Sequence, residues 1–164
     1  MKPGRGEAAP AVGWKEVSVK TTGKHLLVEY HGCDPEVLND PSTLEKHMKK
    51  GVFAAKATPL GTVFRRFSPQ GVSGVVVVEE SHFSIHTWPE YGYAAVDFYT
   101  CGDCHPEQAH AVLKQGLRAS ASEVMTIDRG QDPPGRSIRV ARHTREEPGH
   151  TREFVLHAEV PAVP

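Results

Sequence analysis

Between Gly71 and Gly102 the chain reads GVSGVVVVEESHFSIHTWPEYGYAAVDFYTCG. Ser73, Ser81, His82, His86, Glu90 and Cys101 all fall on or beside β-prone runs of this segment. Strands ordinarily spend such positions on Val, Thr or Tyr. Several reactive side chains on one hairpin therefore point to a site rather than to a merely polar sheet face. The types are complementary. A serine hydroxyl is a latent nucleophile, histidine carries protons near neutral pH, and a thiol, mostly protonated there, can donate one. No lysine occurs between Lys56 and Lys114, so the hairpin itself offers no amine to anchor pyridoxal phosphate. Cys101-Gly-Asp-Cys104-His105 also fits C-x-x-C-H, the pattern of c-type haem attachment, of half a zinc site or of a redox dithiol. Haem attachment requires export. A structural zinc site requires four ligands, of which Cys101, Cys104 and His105 supply three, with no second C-x-x-C in the chain.

As a set, GVSGVVV, ESHFSIHTWPEYGYAA and FYTCG resemble the S-adenosylmethionine decarboxylase proenzymes of the bacterial and archaeal type, over about Gly23 to Arg129. The resemblance implies that the chain makes its own cofactor by cleavage between Glu80 and Ser81. The Ser81 hydroxyl attacks the Glu80 carbonyl and turns the peptide bond into an ester. Loss of the Ser81 α-proton then expels the Glu80 carboxylate. The dehydroalanine left behind tautomerises and hydrolyses with loss of ammonia, which leaves a covalent pyruvoyl group on the α chain (81–164), beside a β chain of residues 1–80. A pyruvoyl ketone condenses with a substrate amine and draws electrons from Cα as CO₂ leaves.

The same resemblance assigns roles. His86 carries protons during processing, Ser73 hydrogen-bonds near the ester, and Cys101 reprotonates Cα after CO₂ leaves. Phe67 and Trp88 sandwich adenine, and their faces also attract a sulfonium cation. Glu90 holds the ribose hydroxyls, since a carboxylate accepts two donors. His82 receives no catalytic role and reads as a polar strand residue beside the cleavage point. Strand parity sets Ser81 and His86 on opposite faces, so a bulge or the freedom of a cleaved end must reconcile them. The implied substrate is S-adenosylmethionine, and its decarboxylated product donates aminopropyl groups for spermidine. The same chemistry on ornithine or arginine is an alternative, against which Phe67, Trp88 and Glu90 argue. A haem- or metal-binding module on Cys101, Cys104 and His105 is a rival of another class.

The elements that must position these residues follow from pattern. Gly23–Gly32 holds Leu26, Leu27, Val28 and Tyr30, a short strand. Asn39-Asp40-Pro41 starts a helix, with Pro41 suited to its first position and Ser42 and Glu45 at capping-box spacing. Leu44, Met48 and Val52 give it one apolar face as far as Ala55. Thr62–Phe67, the β-prone stretch Val72–Ile85 and Tyr93–Thr100 follow, with a turn at Pro89–Gly92. Pro106 opens a second helix bearing Ala109, Val112, Leu113 and Leu117, and Val124–Ile127 is a last core strand. The order β-α-β-β-β-α-β predicts an α+β, two-layer domain: one mainly antiparallel sheet with helices on one face. The uncovered face favours dimerisation, and the resemblance implies a homodimer of αβ protomers.

At 164 residues with a net charge of -1, the chain suits one domain with no basic excess to favour nucleic acid. The longest apolar run, Val75–Val78, is far short of a membrane span. The first residues lack the apolar region of a secretory signal, so the cytoplasm is expected, and three cysteines argue against a disulfide framework there. Residues 1–22 read as a disordered extension, 23–129 as the decarboxylase domain, and 130–164 as a largely irregular tail in which Phe154–Val160 is an added strand.

Processing is the first test. Purified protein should separate into two chains split between Glu80 and Ser81, the larger one blocked to N-terminal sequencing. Ser81→Ala should remain one intact chain by mass spectrometry. A wild type that stays whole and unblocked after long incubation would remove the self-cleavage reading.

Overall fold

Alternation of apolar and polar residues, read against the two-residue period of a strand, lays out most of this chain. The structure is a computed structural model that describes residues 22–79, 81–132, 136–137, 140–147 and 150–157. All but the last residue of the expected N-terminal extension, Glu80 at the expected cleavage point, and parts of the C-terminal tail lie outside the described residues. The strands are β1 (Gly23–His31), β2 (Pro59–Arg66), β3 (Val72–Val78), β4 (Ser81–Trp88), β5 (Tyr93–Cys101) and β6 (Ala121–Arg129). A short pair, β7 (Gln131–Asp132) and β8 (Arg136–Ser137), precedes β9 (Val140–Glu147) and β10 (His150–His157). Eight strands form one sheet in the order β10-β9-β6-β1-β5-β4-β3-β2, with every neighbouring pair antiparallel.

Helices α1 (Pro35–Leu38), α2 (Pro41–Ala54) and α3 (Pro106–Gly116) cover one face of that sheet. Leu44, Met48 and Val52 of α2 are fully buried, as are Ala109 and Leu113 of α3. The two helices approach closely because Gly51 has no side chain: a Cβ there would stand 3.0 Å from Leu113 Cδ1. Below them, Leu26, Val28, Phe83, Ile85, Val96 and Phe98 are the inward half of the alternation. Among the described residues no helix lies over the outward half, and Val63, Val77 and Trp88 stand exposed there.

The α+β class and the one-sided helix layer are as expected, and three details differ. The stretch Val72–Ile85 is two strands of a hairpin, because Glu79 and Glu80 interrupt the apolar run, so four strands rather than three separate α2 from α3. The cap of α2 is Asp40, whose carboxylate accepts from the Ser42 and Thr43 N–H groups at 3.1 and 3.2 Å. Pro41 occupies the first helical turn, so Ser42 lies inside the helix and cannot cap it, while Glu45 instead pairs with Lys49 (2.6 Å) and accepts from Thr62 (2.8 Å). The tail is not wholly irregular: β9 pairs with β6 and β10 with β9, the backbone ladder acting where side-chain alternation gives no signal. Glu146 fastens β9, accepting from Lys114 Nζ at 2.6 Å and from the Ser122 hydroxyl at 3.4 Å.

One buried hydroxyl ties the helical layer to the site-bearing strands. Thr87 Oγ1 donates to the Leu38 carbonyl at 2.8 Å and accepts from the Val72 N–H at 2.8 Å. It thus joins α1, β3 and β4 between the outward-facing His86 and Trp88. Thr87→Val keeps the shape but strands a buried N–H and a buried carbonyl. We expect a loss of about 1–3 kcal/mol in urea unfolding, and an unchanged midpoint would show that neither bond contributes.

Candidate active site

The pleat of β4 sends Phe83, Ile85 and Thr87 into the core and His82, Ser84, His86 and Trp88 to the free face. On β3, register sets Ser73 directly opposite His86, and the Ser73 hydroxyl and His86 Nδ1 are hydrogen-bonded at 2.6 Å. These two expected processing residues are therefore one cross-strand pair. In the tautomer with its proton on Nε2, His86 accepts the Ser73 proton and can pass charge to solvent or substrate.

Ser81 opens β4 and pairs with Val78 across the hairpin tip. Its hydroxyl is buried and has no hydrogen-bond partner among the described residues. A buried hydroxyl left unsatisfied is costly, and here it belongs to the residue expected to attack the preceding carbonyl. Cys101 ends β5. Since His82 pairs with Tyr99, the next step of the ladder brings Ser81 level with Thr100, beside Cys101. The Cys101 thiol donates to the Tyr99 hydroxyl at 3.7 Å. Gly23 on β1 lies opposite Cys101, and a Cβ there would come within 3.0 Å of its sulfur. An open cavity of about 330 Å³ adjoins the thiol, lined by Lys56, Thr58, Glu79, Asp103 and Cys104 among others.

The expected substrate contacts gather at the other end of the hairpin. Phe67 is exposed after β2, and its N–H donates to the Gly71 carbonyl at 2.8 Å. Glu90 sits in a single 3₁₀ turn, Pro89–Tyr91, and accepts from Gln70 Nε2 at 3.1 Å. Trp88 lies against Tyr93, with ring centres 5.1 Å apart. Within one chain, seven residues of strand separate Ser81 from Trp88, about 23 Å at roughly 3.3 Å per residue. Ser81 and His86 are likewise about 17 Å apart along β4 and of opposite parity. The structure thus brings together Ser73 with His86, and Phe67 with Trp88 and Glu90 at the other end of the hairpin, whereas Ser81 turns toward the core level with Thr100 and Cys101 lies on the free face of the next strand.

Sequence reasoning missed a polar network on the free face. Asp97 of β5 accepts from the Ser84 hydroxyl at 2.9 Å, and His25 Nε2 stands 3.4 Å from its other oxygen. Arg129 Nη1 donates to His25 Nδ1 at 3.1 Å, and its guanidinium lies 4.7 Å over the Tyr99 ring. His82 joins this group through ring contacts with His25 and Tyr99. The Cys101 thiol, with burial second, raises the Tyr99 phenol above its ordinary range. The available signal was a charged residue, Asp97, midway along an otherwise apolar strand and in phase with Cys101. As for the rival C-x-x-C-H reading, no group of three metal-ligating side chains converges among the described residues. No helix among them is long and apolar enough to cross a membrane.

Asp97 gives a pH test. The imidazole of His25, followed by the Ser84 hydroxyl, holds its carboxyl below the ordinary carboxylate range against the opposing effect of burial. A pKa lower in the folded than in the unfolded chain means stabilisation that is complete above about pH 4 and fades as pH falls through the folded value. Wild type should therefore exceed Asp97→Asn in urea midpoint at pH 7, and the gap should narrow at pH 3. A gap that widens in acid would contradict the assignment.

A model of the family described as S-adenosylmethionine decarboxylase matches residues 24–130. The chain is 47% identical over 114 residues to the S-adenosylmethionine decarboxylase proenzyme of Thermotoga petrophila, covering 69% of this chain and 88% of the relative. It is 49% identical over 109 residues to that of Caldicellulosiruptor saccharolyticus, covering 66% and 88%. Among solved structures, the adenosylmethionine decarboxylase of Aquifex aeolicus superposes with a TM-score of 0.64 at 31% identity, over 71% of this chain and 97% of that one. With the match spanning the whole site-bearing hairpin, the chain belongs to the S-adenosylmethionine decarboxylase family.

Proposed function

We propose that this chain is a proenzyme that cleaves itself before Ser81 and then decarboxylates S-adenosylmethionine. The observation that carries the reading is Ser81 itself: first residue of β4, at a hairpin tip, with a buried and unpartnered hydroxyl. A nucleophile without a hydrogen-bond partner has nothing to lose on attacking the carbonyl before it. Serine is also the residue from which a pyruvoyl group is made, so the residue present fits the group the family implies. That group, once formed, supplies an electron sink for the pair left on Cα as CO₂ departs.

The remaining roles belong to the chain's own side chains. The Ser73–His86 pair accepts and returns protons during processing. Cys101, one residue beyond the Thr100 that register sets level with the new terminus, delivers the proton that Cα needs once CO₂ has gone. Phe67 and Trp88 offer faces for adenine and the sulfonium, and Glu90 accepts from the ribose hydroxyls.

The separation of these groups supports two copies per site. About 23 Å of strand is too long for one substrate to touch Ser81 and Trp88 of the same chain. Two copies packed free face to free face, with strands opposed, set the Phe67–Trp88–Glu90 end of one beside the Ser81–Cys101 end of the other. The exposed Val63, Val77 and Trp88 supply apolar surface for that contact. The reading places the reaction in the cytoplasm, with a product that serves spermidine synthesis.

A CO₂-release assay tests it. S-adenosylmethionine should be turned over, and ornithine and arginine should not. Trp88→Ala should chiefly raise KM, since one stacked base is worth about 1–3 kcal/mol where such stacking has been measured. Cys101→Ala should still cleave before Ser81 yet lose most turnover. Turnover of ornithine or arginine without S-adenosylmethionine would overturn the substrate assignment.

A further inference from the structure

We propose that Cys101 and Cys104 form a reversible disulfide, an oxidative modification site that withdraws the proton donor from the reaction. This rests on the reading of Cys101 as that donor.

Both thiols are half-buried and both line the open cavity of about 330 Å³ at the end of β5. A small oxidant can therefore reach either one. Between them Gly102 and Asp103 form a turn, with Gly102 at φ +71, a conformation that costs glycine little. The ends of a four-residue turn have Cα atoms within about 7 Å, and a disulfide spans Cα distances of about 4.4–6.8 Å. The two sulfurs now face different weak acceptors, Cys101 the Tyr99 hydroxyl at 3.7 Å and Cys104 the Lys56 carbonyl at 3.9 Å. Each of these two bonds is weak, because a thiol is a weak donor. The third cysteine does not compete. Cys33 is buried in the core, where burial pushes its thiol up to about 12, and a thiol that stays protonated is inert.

The oxidant is hydrogen peroxide. The Cys101 thiolate attacks one peroxide oxygen, the O–O bond breaks, and protonation releases water and leaves a sulfenic acid. The Cys104 thiolate then attacks that sulfur, the S–S bond forms, the S–O bond breaks, and a second water leaves. Two thiols lose two protons and two electrons in all, and one peroxide becomes two waters. Thiol–disulfide exchange with a dithiol reverses the step. The linked Cys101 has no S–H to give, whereas self-cleavage, completed earlier, is unaffected. A resolving thiol three residues away also protects Cys101 from irreversible oxidation to the sulfinic acid.

The test treats processed wild type with hydrogen peroxide and follows intact mass, peptide map and CO₂ release. The α chain should lose the mass of two hydrogens, the map should place the link at Cys101–Cys104, and turnover should fall by about 10²-fold, the usual contribution of a general acid. Dithiothreitol should restore it. Cys104→Ala should match wild type before treatment, and afterwards show no loss of two hydrogens and no internal link in the peptide map. Absence of the link in treated wild type overturns the proposal, as does the same loss of two hydrogens in Cys104→Ala. A mapped link with undiminished turnover would instead remove Cys101 from the role of donor, and the switch with it.

Discussion

The pleat of the antiparallel sheet governs everything else in this molecule. Each strand gives alternate residues to opposite faces, and helices cover only one of them. Every side chain with chemistry on β3, β4 and β5 had to take the phase that the core did not use. The core claims Val72, Val76, Phe83, Ile85, Val96 and Phe98, which leaves Ser73, His82, His86, Asp97 and Cys101 on the open side. Ser81 is the exception, in the core's phase at the strand's first position, where its hydroxyl is buried but unserved. The exception falls where the chain is expected to break.

Alternation also sets what one chain cannot do. Strands are nearly straight rulers, and the residues expected around one substrate are spread along the whole length of β4. Folding more tightly cannot shorten that distance. A second sheet laid over the first can, because opposed strands bring far ends together. The bare face and the divided site are in this sense one property: the surface that would be a liability in a monomer carries the residues that need a partner.

The sequence showed the long elements because their periodicity is strong. Leu44, Met48 and Val52 mark α2 without ambiguity, and Pro106 with Ala109 and Leu113 marks α3. Helix α1 was invisible because four residues carry no period, and it exists through Asp34, whose side chain accepts from the Glu36 and Val37 N–H groups. Strand β9 was hidden, being rich in arginine and glutamate and held to β6 by its backbone ladder, while β10, which pairs with β9, was expected only from Phe154 onward. In the site, Ser73, Ser81, His86 and Cys101 stood out by type on one hairpin, and the roles expected of them come from the resemblance. The His25–Asp97–Ser84 network could not, since its members come from β1, β5 and β4 and meet only through register. The Ser73–His86 bond was missed for the same reason: thirteen residues apart in sequence, they face each other only once the hairpin has closed.

An open sheet has two edges, and each exposes a row of unpaired amides and carbonyls on which foreign strands can grow. At one end β2 discourages this with Pro59, a register shift before Gly61, and the paired charges of Arg65 and Arg66. At the other end β6 bears Val124, Met125 and Ile127, a stretch that would invite edge-to-edge association if left bare. The hairpin of β9 and β10 occupies that ladder and offers in its place an outer strand beginning His150-Thr-Arg152. The described strands of the tail, which lie beyond the family match, thus cover the apolar edge of β6 with their own backbone ladder.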